Sequence, residues 1–218
     1  DLIKKTDICI NLIGILFESN KGNTFKNIHI IFPALISKIC KDHNVKQLIH
    51  LSALGIDLAK ESKYALSKTE GEIQIKKNFS NVTILRPSLV YSVDDNLTTN
   101  FMTLLNRMPI FPIFGNPKFV PIHVSDLVEI IYQVILKEIK STTIECIGPE
   151  VISLKEILEK LLILIEKKRL LIKTPLFLAR MMAKFFQLFP KPLITEDQLK
   201  LLSYDNVNLL FPNSNGQQ

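Results

Sequence analysis

Cysteine is scarce. Cys9, Cys40 and Cys146 are odd in number, far apart and set among apolar neighbours. That pattern excludes a disulfide framework or a zinc site and suits buried thiols in a reducing compartment. His29, His43, His50 and His123 keep no ligand spacing with one another or with the cysteines, so no metal is expected. None of the 7 Gly falls into a G-x-G-x-x-G spacing, which excludes a glycine-rich phosphate-cradling turn within these residues. Continuous apolar runs of about 18 residues, the length a spanning helix needs, are missing as well. No secretory signal is visible. Asp1 stands where an initiator Met would, which predicts that the sequence starts inside a longer chain.

What is present is a globular composition. Apolar residues make up 47%, too many for a disordered chain. The length suits one main domain with a second small lobe. The net charge of +6 is unevenly placed, with 11 basic against 6 acidic residues between Lys137 and Lys191. Such an excess favours an anionic lipid, a nucleotide or an acidic partner, or is simply a solvated lysine-rich surface. Nucleic acid is disfavoured, because the bases are not interleaved with aromatics in a binding motif.

Hydrophobic patterning predicts an α/β fold. Asp7–Gly14, Lys46–Ser52 and Val82–Arg86 read as buried parallel strands, and Thr24–His43 and Ser62–Phe79 as the helices between them. Strand and helix alternating at this spacing describe right-handed βαβ units. Further helices are expected over Asn96–Met108, from a capping box at Asp126–Glu129 to about Lys137, and from a second box at Ser153–Glu156 to about Lys168. A proline-rich loop over 109–121 and a strand over Thr143–Ile147 complete the reading. Residues 1–148 form the main domain, 149–210 a small, mostly helical lobe, and 211–218 a tail.

The chemistry lies in three residues. Tyr64 and Lys68 stand at i and i+4 and share one helix face. A neighbouring ammonium favours phenolate, so Lys68 is expected to lower the Tyr64 pKa and make it a usable proton donor to a carbonyl. Ser52, at the carboxyl end of the preceding strand, would hold the same oxygen. In open α/β sheets ligands bind at that edge. The plainer alternative is a surface tyrosine beside a solvated lysine.

The series Asn11–Gly14, Leu51–Gly55, Tyr64-Ala-Leu-Ser-Lys68 and Arg86-Pro-Ser88 resembles extended or atypical short-chain dehydrogenases. More specifically, Ile10–Glu18 and Ile49–Gly55 resemble the accessory subunit of respiratory complex I known as the alpha-subcomplex subunit nine family. Gly148-Pro-Glu150, Pro190-Lys-Pro192, Thr195–Gln198 and Asp205-Asn206 extend the likeness to about Asp7–Val207.

The resemblance implies a Rossmann-like doubly wound sheet without its first strands, holding NADPH (or NADH) in a structural or assembly role with no turnover of its own. Asn11, Ile13 and Gly14 would lie on the adenosine side, Tyr64 and Lys68 at the nicotinamide ribose, and Pro87, Ser88 and Val90 near the nicotinamide. Asp126 would cap a helix. The partners would be other complex I subunits, on the matrix side of the mitochondrial inner membrane or its bacterial cytoplasmic equivalent. Two departures follow: the first nucleotide-binding half is missing, and Ser92 stands where such dehydrogenases often have Gly. The chain by itself is therefore expected to bind dinucleotide poorly, and its sheet to have an unpaired edge. The alternative function is a reductase, dehydrogenase or epimerase on a small carbonyl or sugar, with Ser52, Tyr64 and Lys68 catalytic.

Residues 175–190 are apolar apart from a narrow stripe of Arg180, Lys184 and Gln187. A helix of this kind either packs into the protein or lies in a membrane interface or partner groove.

Overall fold

The computed structural model describes residues 3, 5–19, 22–187, 192 and 194–207. The chain opens with β1 (Ile8–Asn11), a π-helical turn (Lys26–Ile31) running into α1 (Phe32–Asp42), β2 (Gln47–Leu51), α2 (Lys63–Asn78) and β3 (Val82–Pro87). Next come β4 (Val90–Tyr91), α3 (Asn96–Arg107), β5 (Ile110–Ile113), β6 (Lys118–Phe119), β7 (Ile122–His123) and α4 (Val124–Leu136). Then follow β8 (Thr142–Cys146), β9 (Ile152–Ser153), α5 (Leu154–Leu164), β10 (Leu170–Lys173), α6 (Leu176–Phe186) and α7 (Glu196–Leu201).

Four of these strands make one parallel sheet in the order β1-β2-β3-β8. Gln47–His50 and Val82–Leu85 are buried throughout, as central parallel strands covered on both faces should be. One face packs Leu48 and Ile84 against Cys40 of α1 and Ile75 of α2. The other packs Ile49 and Leu85 against Leu127 and Val134 of α4. This is the doubly wound α/β sandwich expected from the sequence. Among the described residues, β1 pairs with β2 alone, and Ile10 on it is exposed.

A second lobe gathers residues from both sides of position 148. Leu105 of α3, Phe111 and Ile113 of β5, and Leu158 and Leu161 of α5 share one apolar core. The expected proline-rich loop is thus corrected. Ile110–Ile113 pairs in parallel with Leu170–Lys173, and Lys118–Phe119 pairs antiparallel with Ile152–Ser153. A two-stranded ribbon tolerates Pro112, because a residue at an edge does not need its N–H for a second ladder.

Helix starts follow local capping. Ser153 and Glu156 form the anticipated reciprocal box, with Ser153 N donating to Glu156 Oε2 at 2.8 Å. Helix α4 starts earlier than expected. Its cap is His123, whose Nδ1 accepts from Ser125 N at 3.3 Å, while Asp126 lies exposed in the first turn facing the helix dipole. Helix α5 ends at Leu164 and not near Lys168, because Glu166 turns the chain at φ 54° into β10.

Gly71 allows the closest approach of backbones. A Cβ there would lie 2.0 Å from the His29 carbonyl oxygen, so α2 and the π-helical turn touch main chain to side-chain position. In an open helix Gly→Ala stabilises by up to about 1 kcal/mol. Here the sign should reverse: Gly71→Ala is expected to cost about 1–3 kcal/mol by overpacking. Urea denaturation checks this, and unchanged or increased stability would contradict the packing described.

Candidate functional site

The carboxyl ends of β1, β2 and β3 open toward α2 and the second lobe. Helix α2 presents Tyr64 and Lys68 there, and its placement is set from three directions. Arg86 at the end of β3 grips Glu72 with two hydrogen bonds, Nε to Oε1 at 2.9 Å and Nη2 to Oε2 at 2.7 Å, and reaches Asp57 as well. These carboxylates raise the Arg86 pKa further above its usual value, with Glu72 dominant. The π-helical turn presses on Gly71. At the N-terminus, Asp197 of α7 accepts from Ser62 Oγ at 2.8 Å, Lys63 N at 2.7 Å and Tyr64 N at 2.9 Å. Ser62 in turn accepts from Ala65 N at 3.2 Å. A carboxylate in front of unsatisfied N–H groups is favoured by both hydrogen bonding and the helix dipole.

Lys68 is buried, and its Nζ donates to Leu51 O at 3.0 Å. Burial pulls its pKa down to about 8, partly opposed by Glu72. Gly14 passes over it, since a Cβ at that residue would lie 3.5 Å from Lys68 Nζ. Tyr64 is half-buried, edge-on to His29 and to Phe25, with ring centroids 5.4 and 5.9 Å away. Its hydroxyl has no hydrogen-bond partner among the described residues, and burial pushes its pKa up to about 12. This reverses the sequence expectation. Lys68 is directed at a backbone carbonyl, so desolvation prevails and the phenol stays protonated.

Two buried histidines complete the floor. Ile15 N donates to His29 Nε2 at 3.1 Å, so the proton sits on Nδ1 and is donated to Ser67 Oγ at 2.8 Å. Ser67 passes its own to Tyr64 O at 2.7 Å. Burial and the Lys68 charge lower His29 to about 4 and His50 to about 3, so both rings are neutral. Asn11 Oδ1 accepts from Ile13 N at 3.1 Å, which turns its amide N–H toward His50 Nδ1 at 3.0 Å. Among the described residues, His50 Nε2–H is buried without an acceptor and the Ser52 hydroxyl without a partner. An orphaned buried donor is costly, and a cluster of them marks a place where polar groups of a ligand belong.

The nine residues expected from the sequence thus divide. Asn11, Ile13, Gly14, Ser52, Tyr64 and Lys68 lie around one floor at the sheet's carboxyl edge. Pro87, Ser88 and Val90 lie further toward the second lobe, beside Tyr64 along one cavity wall. Ser88 is already engaged, donating to Asn206 Oδ1 at 2.6 Å and accepting from Val120 N at 3.2 Å. Asn206 itself donates to Leu54 O at 2.7 Å, tying the returning C-terminal segment to the sheet. His29, His50 and Asp197 were not singled out from sequence. A lone His on an apolar helix or strand carries no signal, and Asp197 acts on a helix 133 residues away from it in the chain.

The doubly wound α/β fold is shared with solved structures of other proteins. The structure has a TM-score of 0.69 with a dTDP-4-dehydrorhamnose reductase from Clostridium acetobutylicum, at 15% identity over 92% of this chain and 80% of that one. It has a TM-score of 0.65 with a UDP-glucuronic acid 4-epimerase from Bacillus cereus in complex with NAD, at 18% identity over 79% of this chain and 64% of that one. No protein-family model matches the chain. In sequence it is 26% identical to the mitochondrial NADH-ubiquinone oxidoreductase 40 kDa subunit of Neurospora crassa, over 79% of this chain and 46% of that protein. It is 23% identical to mitochondrial NADH dehydrogenase (ubiquinone) 1 alpha subcomplex subunit 9 of Mus musculus, over 94% of this chain and 55% of that protein. These relatives are the ones the motifs pointed to, and the chain spans about half their length.

Helix α6 has one face packed into the protein and another that is apolar and exposed. Ala179 and Ala183 are buried, whereas Leu176, Phe177, Met181 and Phe185 are exposed beside Arg180 and Lys184. Residues 188–191 and 193 and the expected tail over 211–218 lie outside the described residues.

Two measurements test the site. Asp197→Ala should lower stability by about 1–2 kcal/mol, as loss of a good N-cap does; a change within error in denaturant titrations would refute the capping role. For Lys68, the folded pKa of about 8 lies below the usual 10.5, so above pH 8 the unfolded chain binds more protons. Unfolding free energy should therefore rise by about 2 kcal/mol between pH 8 and 10. The rise should be missing in Lys68→Met.

Proposed function

We propose that this chain serves as a nucleotide-binding accessory subunit of respiratory complex I, using its α/β domain as a scaffold without turnover. The observation that carries the reading is the sequence relationship along 94% of the chain to a protein named as a subunit of that complex. The proposed place is peripheral to the inner membrane, on the matrix side or its bacterial equivalent, as the mitochondrial names of the relatives suggest. Among the described residues no helix is long and apolar enough to cross a membrane. The proposed membrane contact is the exposed face of α6, where large apolar side chains stand among cations.

The unengaged groups suit a nicotinamide dinucleotide. Ser52 Oγ, His50 Nε2–H, the Tyr64 hydroxyl and the remaining Lys68 protons offer partners for ribose hydroxyls, with Asn11, Ile13 and Gly14 toward the adenosine side. Pro87, Ser88 and Val90 would flank the nicotinamide. A bound dinucleotide supplies hydride-transfer capacity; Tyr64 and Lys68 would orient its ribose. The high Tyr64 pKa and the Lys68–Leu51 bond support a holding role over proton transfer.

The second reading is a reductase, dehydrogenase or epimerase, favoured by one observation: Ser52, Tyr64 and Lys68 are all present on the fold of such enzymes. Mildly solubilised membranes run on a native gel separate the two. The protein is expected to comigrate with NADH dehydrogenase activity, and Tyr64→Phe should leave both the band and that activity unchanged. A signal confined to the soluble fraction would overturn the subunit reading.

A further inference from the structure

Between the sheet's carboxyl edge and the second lobe lies a cavity of about 480 Å³, within the roughly 300–1,000 Å³ of small-molecule sites. Leu97, Phe101 and Leu104 of α3, Phe111 of β5, Leu158 of α5 and Met182 of α6 form its far wall. Among the described residues no lysine or arginine lines it. Most of its polar groups already serve the fold. Ser88 is bonded to Asn206, Asp205 Oδ1 accepts from Lys118 N at 2.8 Å, and Gln198 Oε1 accepts from Thr195 N at 2.9 Å. The Tyr64 hydroxyl, on the sheet side, has no partner among the described residues.

A sugar nucleotide is a poor match to this lining. Its diphosphate would lose water without meeting a cation, and its hydroxyls would face leucine, phenylalanine and methionine. A hydrocarbon chain gains in proportion to the apolar area it takes out of water. We infer that this cavity binds a single long aliphatic chain, acyl or isoprenoid, whose neutral terminal carbonyl or hydroxyl meets the Tyr64 hydroxyl. Helix α6 supports the inference from its other side. Met182 and Phe186 line the cavity while Phe177, Met181 and Phe185 are exposed, so one thin helix separates the cavity from an apolar surface. The inference stands on the cavity's chemistry and does not depend on membership of complex I.

The test uses the 218-residue chain and an eighteen-carbon polyene alcohol that fluoresces when shielded from water. Saturable one-to-one binding is expected, with displacement by hexadecyl acetate and by geranylgeraniol but not by UDP-glucose. Leu104→Trp, which fills the cavity, should weaken binding at least about tenfold. Met182→Glu should do the same by charging the wall, and covers the case in which Leu104→Trp fails to fold. Leu164→Ser, on an exposed apolar site outside the cavity, should leave binding unchanged. Displacement by UDP-glucose, absence of saturation, or loss of binding in Leu164→Ser but not in the cavity variants would overturn the inference. Failure to comigrate with complex I would leave it intact.

Discussion

The Asp197 carboxylate at the start of α2 is the contact on which the arrangement of the two lobes and the site depends. A helix leaves its first N–H groups unsatisfied, and here part of that demand is met from another lobe by α7 and not by the local sequence alone. The bond therefore does two things at once. It fixes the angle at which Tyr64 and Lys68 face the sheet edge, and it holds the second lobe down over the cavity. Asn206 repeats the device a few residues later, bridging Leu54 O and Ser88. The segment around Asp197 and Asn206 is thus part of the main domain's structure, although it lies more than a hundred residues from α2 and β3 in the chain.

Around that anchor, burial decides the chemistry. Lys68, His29 and His50 all sit where charge is disfavoured, and each has its pKa lowered by desolvation first. The same surroundings raise Tyr64. The result is a floor of neutral rings, a weakly acidic ammonium and a protonated phenol, with Ser52 and His50 Nε2 without partners among the described residues. Such a floor offers more to hydrogen-bonding hydroxyls than to proton transfer, and that is the physical ground on which the proposed holding role rests.

Much of the sheet was legible in the chain. Short apolar runs at Ile8–Asn11, Gln47–Leu51 and Val82–Pro87 separated by helical periodicity permit few other arrangements, because parallel strands covered on both faces must be apolar on both. Ser153 announced its helix through capping chemistry that is local by nature. Where a start depended on a less usual cap, as with His123 before α4, the pattern pointed three residues too far along. The proline-rich stretch concealed β5 for a related reason: Pro112 signals a loop, and only its partner β10, some sixty residues later, makes it a ribbon.

The sequence by itself determined the fold class, the alternation of strand and helix in the core units, the placement of Tyr64 and Lys68 on one helix face, and the family likeness. Each of these rests on spacing within a few residues or on short motifs. Tertiary structure decided the rest: which way the Tyr64 pKa moves, which polar groups remain unengaged, that Asp197 caps α2, and that α6 buries its alanines while showing its phenylalanines outward. The reason is common to all four. Desolvation, hydrogen-bond satisfaction and face selection depend on what packs nearby in space, and neighbours from distant parts of the chain leave no periodic trace in it.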